Sequence, residues 1–152
     1  MEIAPAAPDE LREINRLIAD AKSVGPWPPG YLEAALPFHV ISPGYLDDNL
    51  CFRVADAAGR LVAFFSVAMD GDGPLLYNLW VAPDASGRGV GRLALEHLFS
   101  LARLRRWTQL RVLPDPPAEG FYLGMGFLDT GARAPSRVAG GPTFKVLRKA
   151  FV

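Results

Sequence analysis

The stretch from Leu79 to Arg92, Leu-Trp-Val-Ala-Pro-Asp-Ala-Ser-Gly-Arg-Gly-Val-Gly-Arg, constrains this chain more than any other. To its left lies an apolar run of strand length, Leu75 to Val81. To its right, Val90, Leu93, Ala94, Leu98, Leu101 and Ala102 form a helical stripe that starts near Gly89. Between them, glycines at 87, 89 and 91 allow positive φ and let the backbone approach a ligand closely. The helix start leaves unpaired N–H groups with partial positive charge, which suits a diphosphate. Arg88 and Arg92 can add charge at the rim. The competing reading is a glycine-rich turn with no ligand.

No Gly-Lys-Ser/Thr follows, so a Walker loop is excluded. Gly89-Val90-Gly91-Arg92-Leu93-Ala94 does satisfy a relaxed G-x-G-x-x-A, and Asp115 follows the next strand. That dinucleotide motif belongs directly after a strand and opens a repeated βαβ array. Here several residues intervene, antiparallel strands come first, and too few residues remain for a second nucleotide-binding half.

The rest of the chain reads as one mixed α/β (α+β) domain over residues 1–152, with helices on both faces of a mostly antiparallel sheet. Ile3-Ala4 suits a short edge strand. Leu11, Ile14, Leu17, Ile18 and Ala21 mark an amphipathic helix after Pro8. From Ser23 to Asn49 prolines and glycines alternate with Trp27, Tyr31, Phe38 and Tyr45, leaving room for at most a short helix around Tyr31 to Leu36. A long loop of this kind is often a binding element. Leu50–Ala55, Leu61–Met69 and Leu75–Val81 then form an antiparallel meander. After the long helix, Gln109–Leu113 is a strand parallel to Leu75–Val81. A short helix from Pro116 to about Met125 follows, and Phe127–Gly131 pairs with Thr143–Leu147.

Half of the 152 residues are hydrophobic, which argues against wholesale disorder. Sixteen basic residues match sixteen acidic ones, so no nucleic-acid partner is expected. One cysteine, Cys51, and two distant histidines, His39 and His97, offer neither a disulfide nor a metal site. No signal pattern opens the chain, and the longest apolar run is too short for a bilayer. No membrane partner and a cytoplasmic location are therefore expected. A homodimer is left open.

Two segments carry a family resemblance. Leu79-Trp80-Val81-Ala82-Pro83 with Gly87-Arg88-Gly89-Val90-Gly91 resembles the central motif of the GNAT superfamily of N-acetyltransferases. Asp115-Pro-Pro-Ala-Glu-Gly-Phe-Tyr-Leu-Gly-Met-Gly-Phe127 is similar to the family's Asn-x-x-Ala-x-x-Phe-Tyr-x-x-x-Gly-Phe signature. The resemblance covers about residues 74–131. Two positions depart from it: Ser86 stands where Gln or Arg is frequent, and Asp115 replaces Asn. Asp115 still falls among the cofactor-binding positions that the resemblance implies; if ionised it would repel phosphates, and the alternative expectation is a cap on the following helix.

The resemblance implies acetyl-CoA as the acyl donor, with no metal, and a primary amine on a small molecule or peptide as acceptor. It implies that the strands at 75–81 and 109–113 splay apart, and that pantetheine fills the gap along Leu79, Trp80 and Val81. It also implies phosphates on Ser86 to Arg92, that is Ser86, Gly87, Arg88, Gly89, Val90, Gly91 and Arg92. Tyr122 takes the place of the group that protonates the leaving thiolate. Asn78 stands where many relatives carry a Glu base; it can hold water or acceptor but cannot take a proton. Trp27, Tyr31 and His39 fall in the loop that borders the acceptor pocket, and His39 is a candidate base. The missing strand carboxylate leaves a second reading, a catalytically idle acyl-CoA sensor or assembly module.

Overall fold

The computed structural model describes residues 1–152 as one seven-stranded sheet with helices on both faces. The strands are β1 (Glu2–Pro5), β2 (Leu50–Ala55), β3 (Leu61–Asp70), β4 (Gly73–Val81), β5 (Gln109–Val112), β6 (Leu128–Ala134) and β7 (Phe144–Ala150). The helices are α1 (Leu11–Lys22), α2 (Tyr31–Ala35), α3 (Pro43–Asp48), α4 (Val90–Leu104) and α5 (Glu119–Gly124). The sheet order is β1-β2-β3-β4-β5-β7-β6, and only β4 and β5 run parallel. Short turns make β2–β3 and β3–β4 antiparallel, whereas α4 supplies the crossover that the parallel β4–β5 pair needs.

β3 is buried from Leu61 to Val67 because both of its faces are covered. Phe65 turns toward α4, stacking on Phe52 at 5.2 Å and edge-on to His97 at 6.0 Å. Alternation sends Phe64 and Ser66 to the opposite face, over which α1 lays Ile14, Leu17 and Ile18. Truncating a fully buried α4 residue such as Leu98 to alanine is expected to cost about 2–5 kcal/mol.

α3 corrects the expectation of a single short helix between residues 23 and 49. Its signals are local: Ser42 Oγ accepts from the Tyr45 N–H at 3.1 Å, and Pro43 fills the first turn. Pro8 opens a 3₁₀ turn (Pro8–Glu10) ahead of α1 rather than α1 itself.

The sheet opens at its centre. β4 and β5 pair only through Leu75 with Arg111 and Leu76 with Val112. Two local features end the ladder. On β4 the register against β3 jumps from Asn78–Ser66 to Leu76–Val67, so Tyr77 has no partner and the strand bends. Beyond Val112, prolines at 114, 116 and 117 have no N–H with which to continue it. The resulting wedge positions everything that follows.

Candidate active site

A cavity of about 840 Å³ fills the wedge. It runs from the start of α4, past the free edge of β4, to the end of α1, the α2 region and the β6–β7 connection. Its two ends are built differently.

At the α4 end the groups are main-chain. None of the six N–H groups from Gly87 to Arg92 has a hydrogen-bond partner within the protein, and all of these residues except Arg88 line the cavity. Gly87 and Gly89 have φ of +77° and +80°, which L side chains rarely adopt, and this reverses the chain into the helix. Gly91 keeps an unpaired N–H in this run but does not use positive φ. It lies within α4 at ordinary φ, and a Cβ there would come 3.1 Å from the Phe121 ring, so its small size makes room for packing. Arg92 lines the cavity with its side chain bonded to Glu96 at 3.0 Å, and Arg88 lies outside the lining. Ser86 lines the cavity, and its hydroxyl has no protein partner.

Along β4 the orientation of the backbone follows from the ladder. The Ala82 N–H donates to Val62 C=O at 2.8 Å. By alternation, Leu79 and Val81 direct their N–H and C=O groups away from β3, into the wedge. Leu79, Trp80 and Val81 all line the cavity.

Tyr122, on α5, is 5% exposed, and its hydroxyl makes no hydrogen bond within the protein. Edge contacts with Phe121 (5.1 Å) and Phe127 (5.5 Å) fix the ring, which lines the cavity. Burial, reinforced by the charge of Asp115, raises the phenol pKa well above 10, so the proton stays on the oxygen. Cys51, buried at about pKa 11 because of that burial, is not a competing nucleophile.

At the opposite end the groups are side chains. Trp27, Tyr31 and His39 all line the cavity. Asn78 does not. It is 3% exposed, and it donates to Ser66 Oγ at 2.9 Å and accepts from Trp80 Nε1 at 3.0 Å. Ser66 also bonds the Tyr45 hydroxyl at 2.8 Å. Asn78 thus stands behind the wall and orients the Trp80 indole, which meets His39 edge-on at 5.3 Å. Burial, then Lys22 and Arg137, lower the His39 pKa against an opposing pull from Asp115, so its imidazole is neutral at neutral pH.

Lys22 was not anticipated. It is 1% exposed and bonds both oxygens of Asp115, at 2.9 and 3.0 Å. Its ammonium lies 4.1 Å from the Trp27 ring centre, 5.3 Å from Tyr31 and 5.8 Å from Trp80. The sequence held a signal for it: Ile14, Ile18 and Lys22 recur every four residues, which extends the buried stripe of α1 onto a cation. The expected cap by Asp115 is not made, because its carboxylate is held by Lys22. That pairing also balances its charge inside the cavity.

The profile of the acetyltransferase (GNAT) domain matches residues 48–128, and the chain belongs to this family. Among curated proteins it is 31% identical over 84 residues to serotonin N-acetyltransferase 2, chloroplastic, of Oryza sativa subsp. japonica. It is 31% identical over 81 residues to the 5-NmdU N-acetyltransferase of Pseudomonas phage PaMx11. These matches span 55% and 52% of this chain, but only 40% and 58% of the relatives' own lengths. In fold it is similar to a GCN5-related N-acetyltransferase from Rhodopseudomonas palustris, with TM-score 0.82 at 19% identity over 99% of this chain and 95% of that one. It is also similar to the PaiA N-acetyltransferase from Thermoplasma acidophilum, solved with coenzyme A (TM-score 0.78, 14% identity, 99% and 98% covered).

Proposed function

We propose that this protein transfers an acetyl group from acetyl-CoA to a primary amine on a small molecule or peptide. The observation that carries the proposal is the run of unpaired amides from Gly87 to Arg92 at one end of a wedge whose other end is lined by side chains. Amides at the start of a fifteen-residue helix favour a diphosphate through both hydrogen bonds and the helix dipole. The free edge of β4 at Leu79 and Val81 suits the amide-bearing pantetheine arm, which would lie against it as an added strand.

The donor supplies an activated thioester, and the chain's own groups supply alignment and protons. A β4 N–H facing the wedge can polarise the thioester carbonyl. Tyr122 holds a proton that the wedge can reach, for the sulfur that leaves. Neutral His39 is able to accept a proton from the incoming amine, the role that Asn78 cannot play. Alignment of amine and carbonyl makes a covalent enzyme intermediate unnecessary.

Calorimetry with acetyl-CoA, followed by detection of thiol release against a panel of amines, tests this. Saturable binding with amine-dependent release is expected. Binding without release above hydrolysis would favour the idle sensor, and absence of binding would end the proposal.

A further inference from the structure

The charged groups that line the cavity do not balance. Lys22 is paired with Asp115, and Arg92 with Glu96. Arg137, on the β6–β7 connection, lines the same cavity and has no carboxylate partner. It is nonetheless held in place. One Nη donates to the Tyr77 hydroxyl at 2.8 Å, and the guanidinium lies 5.8 Å from the Phe38 ring centre. The loop that carries it is seated on α2: a Cβ at Gly141 would come 2.8 Å from the Tyr31 ring. Tyr77 is the unpaired bulge residue of β4, so its ring links Arg137 to the strand that borders the wedge.

We propose that the acceptor is an amine that also carries a carboxylate, with the carboxylate on Arg137, its apolar part against Phe38 and Tyr77, and its amine toward the wedge. The inference rests on acetyl transfer as proposed above. Four of the guanidinium's five N–H groups remain after the bond to Tyr77, and their planar fork matches a carboxylate. With Lys22 neutralised by Asp115, the unpaired Arg137 leaves this end of the cavity with a net positive charge. Such a charge disfavours an ammonium arriving alone and favours one accompanied by an anion.

The test compares matched acceptors: an aromatic α-amino acid, its amide, its decarboxylated amine, and the phosphate ester of its amino alcohol. Thiol release is read as kcat/KM. The amino acid should exceed its amide and its decarboxylated amine by at least about tenfold, the scale of one charge-assisted contact. Arg137→Gln should erase that advantage through KM, and Arg137→Lys should keep part of it. Acetyl-CoA affinity and melting temperature of both variants, unchanged, show that they remain folded. Equal or faster turnover of the partners that lack the carboxylate, no turnover of the amino acid, or an advantage that survives Arg137→Gln overturns the proposal. A faster phosphate ester overturns the carboxylate in favour of a phosphate. If these fail while acetyl-CoA still binds and other amines release thiol, only the acceptor class falls. Failure of donor binding instead removes the acetyl-transfer proposal itself.

Discussion

The α4 end of the wedge and the α1–α2 end solve recognition with different materials. The first presents main-chain N–H groups released by two positive-φ glycines and a helix start. The second presents side chains gathered from α1, the 23–49 stretch, β4, the β5–α5 loop and the β6–β7 connection. A main-chain cradle depends on a few adjacent residues and tolerates change in the side chains around it. A side-chain pocket depends on distant segments meeting, and it changes with each of them. The two ends should therefore respond differently to mutation.

The largest expected effect is structural and falls at the side-chain end. Lys22→Ala would leave Asp115 without its buried partner and empty the aromatic cage, at an expected cost of about 3 kcal/mol in urea unfolding. A cost below about 1 kcal/mol would show that the pair does not hold α1 to the β5–α5 loop. Next, at the main-chain end, Gly89→Val forces a branched side chain into φ +80°, shifting the amides. Acetyl-CoA affinity should fall by about a hundredfold, with the fold retained by circular dichroism. Undiminished affinity would remove that loop from donor binding.

Tyr122→Phe deletes only a hydroxyl that has no protein partner, so stability should hold. Turnover should drop by at least about tenfold at unchanged acetyl-CoA affinity, and an unchanged kcat would take Tyr122 out of the chemistry. The smallest effect is a pH shift. His39 has its pKa lowered in the fold from 6.5, so the unfolded chain binds more protons just below that value. Its share of stability is present above pH 6.5 and is lost as pH falls through the lowered folded value. Titration followed by ring-proton NMR should place the midpoint below 6.5, and Arg137→Gln should move it upward. A midpoint at or above 6.5 would contradict the buried, cation-flanked setting.

The same contrast explains what was legible in the amino-acid order. The strand–glycine–helix segment and the parallel β4–β5 pair could be read, because local periodicity and turn chemistry dictate them. The place of Tyr122 followed from the motif around it, although its unpartnered hydroxyl did not. The packing role of Gly91 could not be read, because its partner, Phe121, lies thirty positions away and meets it only in the fold. Asp115 was misjudged for a similar reason: a local cap competed with a long-range ammonium, and the ammonium won. Asn78 sits at the expected strand position, but a bulge and two hydroxyl-bearing neighbours turn it into a support for Trp80. The unpaired state of Arg137 gave no local signal, since it depends on acids distant in the chain.

Amide NMR of the folded protein during titration with coenzyme A addresses the cradle most directly. The N–H resonances of residues 87 to 92 should show the largest shifts, with those of Leu79 and Val81 next. Saturation that leaves the 87–92 signals in place while others move would contradict a diphosphate held by these amides.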